Sequence, residues 1–209
     1  MPATLSMTLH WSPRSPFVRK VMVTAHELGL AERIALRRTV VRMDTPNREL
    51  LPDNPLSKIP TLVLADGAVV TDSLVICEYL DALAGGTLFP RAGEARWAAL
   101  TRHAIANGLL DALILWRNER DKPEAKRTQG WLDSFAVKTA ATLDRFEQDI
   151  AALRDGPLTI GHIATACALS YLDFRFADLG WRGGRPALAA WHEEFRARPS
   201  MRATEAVDD

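Results

Sequence analysis

Apolar positions follow two periods over the first 85 or so residues and a single period after that. Thr8-Leu9-His10-Trp11 suits a short strand, and Pro16 to Leu28 carries Phe17, Val21 and Leu28 at helical spacing until Gly29 stops it. Ile34 to Val41 predicts a second strand. Thr61-Leu62-Val63-Leu64 and Val69-Val70-Thr71 flank Asp66-Gly67, a dipeptide favoured in tight hairpins, so the third and fourth strands are predicted as antiparallel neighbours. Ser73 to Leu83 then places Leu74, Cys77 and Leu80 on one helical face. The run from Ala84 to Gly93 holds glycines and a proline that do not extend a helix comfortably. Beyond it only helical periods remain, at Glu94 to Trp116, Pro123 to Arg154, Thr159 to Asp178 and Pro186 to Arg198.

Strand, helix, strand, loop, hairpin, helix is a thioredoxin-like order. The expectation is an α+β thioredoxin-like N-terminal domain over residues 1–84, a linker over 85–93, and an all-α helical C-terminal domain over 94–209. Thr159 is placed to cap the third helix of the second domain, with Leu158 and Ile163 at staple positions. Pro186 and Pro199 bracket the last helix. Trp97, Trp131 and Trp191 fall at helical spacings that suit ordinary packing, and the acidic tail from Glu205 is expected to fray.

Composition narrows the function classes. With 47% hydrophobic and 25% charged residues, the chain has the make-up of a globular protein that folds unaided. Its 26 basic residues cancel its 26 acidic ones, which removes the overall field expected of a nucleic-acid binder. No apolar run is long enough to cross a bilayer, and Met1 to Thr8 lacks the basic flank and apolar stretch of a secretory signal, so a cytoplasmic address is expected. Cys77 and Cys167 stand apart with no CxxC, which suits buried small hydrophobes better than a metal clamp. The charge balance is uneven, however. Residues 1–60 hold nine Lys and Arg against five Asp and Glu, a positive lobe suited to a small anionic peptide.

Three stretches carry chemistry. In Ser12-Pro13-Arg14-Ser15-Pro16-Phe17-Val18-Arg19-Lys20, Ser15 falls at the N-cap and Pro16 at the first helical position, so the Ser15 hydroxyl faces the positive end of a helix. It either caps that helix or donates a hydrogen bond to a thiolate bound there; nothing nearby supplies the histidine and acid that a serine nucleophile needs. In Asn54-Pro55-Leu56-Ser57-Lys58-Ile59-Pro60-Thr61-Leu62, Pro60 is a candidate cis proline that would turn the Ile59 backbone towards an extended peptide, or else an ordinary trans proline at a strand start. Asp72-Ser73 opens the next helix, where it is either a cap or a holder of an amino-acid zwitterion, the carboxylate of Asp72 meeting an ammonium and Ser73 a carboxylate.

Ser-Pro-Phe-Val-Arg-Lys at 15 to 20, Asn-Pro-Leu-Ser-Lys-Ile-Pro at 54 to 60, and Asp-Gly followed by Asp-Ser within 66 to 73 resemble the glutathione S-transferases in order and spacing. The stretch Ile160 to Leu179 also resembles bacterial members, so the resemblance spans nearly the whole chain. It implies glutathione as co-substrate, no metal, and a homodimer. Ser15 matches the family's catalytic serine, and Ser12 is the competing position. Lys58 and the Ile59 backbone would hold the glycyl and cysteinyl parts, Asp72 and Ser73 the γ-glutamyl end, and Pro60 matches the family's cis proline. Where thiol-transferring relatives have cysteine this chain has Ser15, which favours conjugation to hydrophobic electrophiles over disulfide reduction. The electrophile pocket is expected from the helical domain, where Ala104, Asn107, Gly108, Asp111 and Leu115 share a face, with Trp11 and Arg14 facing it.

The alternatives are other glutathione chemistry, namely peroxide reduction, dehalogenation or isomerisation, and a non-catalytic binding protein with the same fold. One departure concerns the helix after Thr159. The family shows aspartate three places on, whereas this chain has His162, expected to be a satisfied buried histidine in a weaker capping box.

Overall fold

The computed structural model describes residues 7–208. These form two compact units, one of residues 7–89 with 199–208 and one of residues 90–198.

The first unit is built on a four-stranded sheet, β1 (Met7–Trp11), β2 (Ile34–Arg38), β3 (Thr61–Val63) and β4 (Val69–Val70), in the order β2-β1-β3-β4. β1 runs parallel to β2, with Leu9 opposite Leu36, and antiparallel to β3, with Leu9 opposite Leu62. The Asp66-Gly67 hairpin pairs β3 with β4 antiparallel, and Gly67 has the positive φ such turns require. Between β1 and β2 lies α1 (Pro16–Glu27), and α2 (Ser73–Ala84) follows β4. Val18, Val21 and Ala25 of α1 and Ile76, Cys77 and Leu80 of α2 are all buried. Thr24 Oγ1 donates to Cys77 Sγ at 3.4 Å, and burial pushes the Cys77 thiol up to about 11. Cys77 is thus an inert packing group.

α2 ends on Gly85 in the left-handed region, and the chain beyond it stays attached to the helix it has left. The buried Asp81 carboxylate accepts the backbone N–H groups of Leu88 (3.0 Å) and Phe89 (3.1 Å). That clamp draws residues 85–89, expected as linker, into the first unit. The closing residues differ from expectation in the same way. Pro199 does not merely stop a helix; it opens α8 (Pro199–Ala203), which packs with the first unit. Arg19 Nη2 donates to the Met201 carbonyl at 3.1 Å, and Ser200 donates to Glu27.

The second unit is all helical: α3 (Gly93–Arg120), α4 (Gln129–Gln148), α5 (Ile150–Arg154), α6 (Ile160–Arg175) and α7 (Pro186–Arg196). The expected helix over 123–154 is divided into a short 3-10 turn, α4 and α5. α6 is its axis, with every residue from Ile160 to Leu172 buried. A helix apolar all round must be enclosed by other helices, and each buried Leu or Ile contributes about 1.5–3 kcal/mol to that enclosure. Gly161 allows the closest approach, because a Cβ there would stand 2.9 Å from the Ala99 carbonyl oxygen of α3. Glu147 of α4 caps α7 by accepting Ala187 N–H (3.1 Å) and Leu188 N–H (2.6 Å). Trp191 is buried as expected, but Trp97 and Trp131 are 67% and 56% exposed. Helical spacing locates a stripe without saying which stripe faces inward; Trp131 sits in the first turn of α4 and touches Phe135 edge to face.

Thr159 and His162 do close a box at the start of α6. The Thr159 backbone N–H donates to His162 Nδ1 at 3.0 Å, and the Thr159 hydroxyl lies 2.8 Å from the same nitrogen. An accepting Nδ1 requires the neutral ring. Burial first and the Arg102 charge second lower the His162 pKa to about 4, against backbone hydrogen bonds at Thr159 and Ala152 that raise it. An unfolded histidine protonates near 6.5, so the unfolded chain takes up a proton between about pH 6.5 and 4 that the folded one refuses. Stability should be complete above that window and fall as pH drops through it, by roughly 2 kcal/mol at pH 5. His162→Gln, which keeps an acceptor but does not titrate, should flatten the fall in thermal midpoint measured calorimetrically from pH 7 to 5; an unchanged slope would contradict this role.

Candidate functional site

The loop between β1 and α1 is set by two serines. Ser15 caps α1 with extended backbone (φ −84°, ψ 118°), and its Oγ accepts Val18 N–H at 3.3 Å. Pro16 follows at the first helical position, where its missing N–H costs nothing. The Ser15 oxygen is thereby engaged as an acceptor while its proton remains available to donate, at the positive end of α1. Ser12 is buried, and its Oγ accepts Arg14 N–H at 3.4 Å while its carbonyl accepts Ser15 N–H at 3.2 Å. Ser12 is thus spent within the loop, while Ser15 is half-buried at the head of α1. Trp11 ends β1, and both Trp11 and Arg14 are half-buried beside this loop.

The second group gathers around Asn54, which is buried. Its Oδ1 accepts Leu56 N–H at 3.0 Å; its Nδ2 faces the Lys58 carbonyl (3.0 Å), Thr61 Oγ1 (2.9 Å) and Thr71 Oγ1 (3.4 Å). One carboxamide therefore joins the Lys58–Ile59 loop, the start of β3 and the residue before Asp72. The Ile59–Pro60 peptide is cis, as is Thr71–Asp72. No turn or loop backbone hydrogen bond among the described residues uses Ile59. Lys58 is exposed, and no ion pair among the described residues includes it.

Asp72 caps α2, its Oδ1 accepting Leu74 N–H at 3.0 Å, and its carboxylate is otherwise exposed. Ser73 is buried at the first position of the helix. A cation-binding carboxylate thus stands beside anion-binding helix groups, the complement of a zwitterion.

The residues assigned to the electrophile pocket are divided between the two units. Trp11 and Arg14 belong to the first unit, Asn107 and Asp111 to the second. Asn107 Nδ2 donates to Asp111 Oδ2 at 3.3 Å one turn along α3. Ala104, Gly108, Asp111 and Leu115 are exposed and Asn107 half-buried, so this face of α3 is turned away from its own core.

Three supporting residues escaped the motif reading. His10 is buried on β1, with Nδ1 2.9 Å from Thr39 Oγ1 and Nε2 2.9 Å from Asp53 Oδ2. Asp53 adjoins Asn54, so this bridge fixes the hub loop against β1. A lone histidine in a strand carries no spacing signal, and Asp53 lies 43 residues away. Asn54 itself stood in a quoted motif, where Asn-Pro signals only a turn.

The chain matches the family profile of the glutathione S-transferase N-terminal domain over residues 14–83 and that of the C-terminal domain over residues 129–194. It belongs to the glutathione S-transferase superfamily. A glutathione transferase family member from Pseudomonas fluorescens Pf-5, crystallised with bound glutathione, is 45% identical with a TM-score of 0.94, covering 97% of this chain and 100% of that one. A structure of a family member from the same organism with bound S-(propanoic acid)-glutathione is 44% identical with a TM-score of 0.90, over the same shares. The uncharacterized GST-like protein YibF of Escherichia coli is 30% identical over 95% of this chain and 98% of its own.

Removing the bridge to the hub tests its part in the site. Asp53→Asn or His10→Phe should weaken glutathione binding about tenfold while leaving the far-ultraviolet circular dichroism unchanged. Calorimetric titration with glutathione reads the affinity; an unchanged affinity would show that the bridge serves only folding.

Proposed function

We propose that the protein is a glutathione transferase that binds the tripeptide on its first unit, ionises the thiol beside Ser15 and adds the thiolate to an electrophile. The observation that carries this reading is Ser15 itself: its oxygen is taken by Val18 N–H, which leaves the hydroxyl proton to be given to sulfur at the start of α1. A helix N-terminus is worth about 0.3–1 kcal/mol to a nearby anion, and a hydrogen bond to a charged group about 1.5–3 kcal/mol. Together they lower a thiol pKa of about 8.5 by roughly 1.5–3 units, enough to make thiolate a major species at neutral pH. Holding that thiolate against the electrophile supplies the rest, through positioning.

Glutathione is placed by the other matched residues. Lys58 takes the glycyl carboxylate, the Ile59 backbone before cis Pro60 pairs with the cysteinyl part, and Asp72 with Ser73 holds the γ-glutamyl zwitterion. Relatives crystallised with glutathione support binding of the tripeptide. A serine at the thiol site has no sulfur with which to form a mixed disulfide, which favours conjugation. The reading takes Trp11, Arg14, Asn107 and Asp111 as electrophile contacts, a homodimer as the working state, and detoxification in the cytoplasm as the setting.

Ser15→Ala should raise the pKa of bound glutathione, followed by thiolate absorbance against pH, by 1 unit or more, and lower kcat/KM by about 10- to 100-fold. Ser12→Ala should change either quantity by less than about threefold. The opposite pattern would move the catalytic role to Ser12, and no conjugate with any of a panel of electrophiles would sink the reading.

A further inference from the structure

The sheet of the first unit has two open edges, and they differ. β4 is two residues long, whereas β2 is five and pairs, among the described residues, with β1 alone. The Thr39 backbone N–H donates to the Trp11 carbonyl at 2.8 Å, and Trp11 stands opposite Arg38 in the parallel register. Successive residues of a strand turn their N–H and C=O to alternate sides, so Ala35, Arg37 and Thr39 face β1 while Leu36 and Arg38 turn theirs outward. No turn or loop backbone hydrogen bond among the described residues uses Leu36. Every residue from Ala35 to Arg38 is exposed, Leu36 to 48%.

An open strand edge is a template for pairing with another chain, and charge on it decides which chains can approach. This edge carries charge of one sign. Arg33, Arg37, Arg38 and Arg42 fall in and beside β2, and no acidic residue lies between Arg33 and Met43. Two carboxylates reach these cations from outside that stretch, Glu49 to Arg37 at 3.9 Å and Asp44 to Arg42 at 3.0 Å, and all four side chains are exposed. Exposed pairs of this kind hold their partners weakly, so carboxylates of another chain can compete for the same guanidinium groups.

Charge also selects the occupant. A second copy of β2 would set its own arginines against these, so the edge repels itself. A lipid surface would draw the cations, but an open strand edge is unfavourable where hydrocarbon replaces water. An added acidic strand meets both demands. Its backbone pairs with the outward groups of Leu36, and side chains directly opposite one another stand about 4.5–5.5 Å apart at Cβ, within reach of an ion pair. Arg37 and Arg38 point to opposite faces of the sheet, so the matching strand needs two adjacent carboxylates. We infer that the open edge of β2 is a docking site for an extended acidic segment of a partner protein. The segment adds to the sheet as a fifth strand, with neighbouring carboxylates opposite Arg37 and Arg38 and an apolar side chain opposite Leu36.

The peptide acetyl-Thr-Glu-Glu-Val-Glu-Glu-Thr-amide presents this pattern in either strand direction, and calorimetric titration into the intact protein reads its binding. It should bind at least about tenfold more tightly than the same peptide with glutamine in place of glutamate. It should exceed by a similar factor a version N-methylated at the valine and its two neighbours, which keeps every charge but loses the pairing N–H groups. Hydrogen exchange at the Leu36 N–H should slow at least about tenfold in the complex. Arg37→Gln combined with Arg38→Gln should abolish the preference for glutamate over glutamine with the far-ultraviolet circular dichroism unchanged. Equal binding of the N-methylated peptide would reduce the contact to charge attraction, and unaltered exchange at Leu36 would place the peptide elsewhere; either result overturns the proposal. So does displacement of the peptide by saturating glutathione, which would put it in the tripeptide site. Retention of the protein on phosphatidylserine vesicles without any binding of the peptide would make the edge a lipid-facing one instead. None of these measurements requires turnover, so the docking site stands or falls apart from the transferase reading.

Discussion

The side-chain amide of Asn54 is the constraint on which the binding face of the first unit depends. Three segments distant in sequence, the loop at Lys58, the start of β3 and the approach to α2 at Thr71, are held at one point by a single donor group. Each such bond contributes only about 0.5–1.5 kcal/mol net, but stranding its buried partners would cost about 1–3 kcal/mol apiece. Geometry is the larger stake. The Ile59 backbone and the Asp72–Ser73 pair keep their mutual placement only if their segments stay in register, and Asn54 sets that register from within the core. His10 and Asp53 in turn hold Asn54 against β1. The order of dependence runs from a buried strand histidine, through a loop carboxylate and a carboxamide, to the residues that meet solvent.

The sequence was most legible where chemistry and local conformation coincide. Ser15 before Pro16, Asp72 at the head of α2 and Asp66-Gly67 in the hairpin are local signals, and each element lies within a few residues of its expected place. The all-helical second unit was legible for the same reason, since amphipathic spacing is a property of neighbours in sequence. What escaped was whatever depends on a partner far along the chain. The division of the helix expected over 123–154, the exposure of Trp97 and Trp131, and the bridge from His10 to Asp53 all follow from packing that no window of twenty residues contains. The pocket residues fared in the same way: Asn107 and Asp111 were picked out by their shared helix face, which places them on α3 without stating what that face meets.

Histidine is used twice in the second unit as a neutral, buried hydrogen-bonding group. His162 serves the box at the head of α6, and His192 lies 3.0 Å from Ser170 Oγ with Asp173 beside it. Serine, histidine and aspartate in that order invite a catalytic reading, but all the geometry argues for structure. Ser170 and His192 are buried, and Asp173 is spent on Arg182 and the Trp181 ring N–H. Burial holds the His192 pKa down to about 4 despite that carboxylate. The ring therefore works as an uncharged link between α6 and α7.

The return of the last residues to the first unit makes that unit discontinuous in sequence. Arg19 and Glu27 on α1, the helix that begins at Ser15, find their partners at Met201 and Ser200, 182 and 173 positions later. During synthesis the sheet and its two helices leave the ribosome well before the segment that completes them, and the whole helical unit is made in between. The first unit is thus the earliest to begin folding and the last to finish. A chain cut after α7 would retain every residue matched to the glutathione site, yet would leave the helix that presents Ser15 with an unfinished flank.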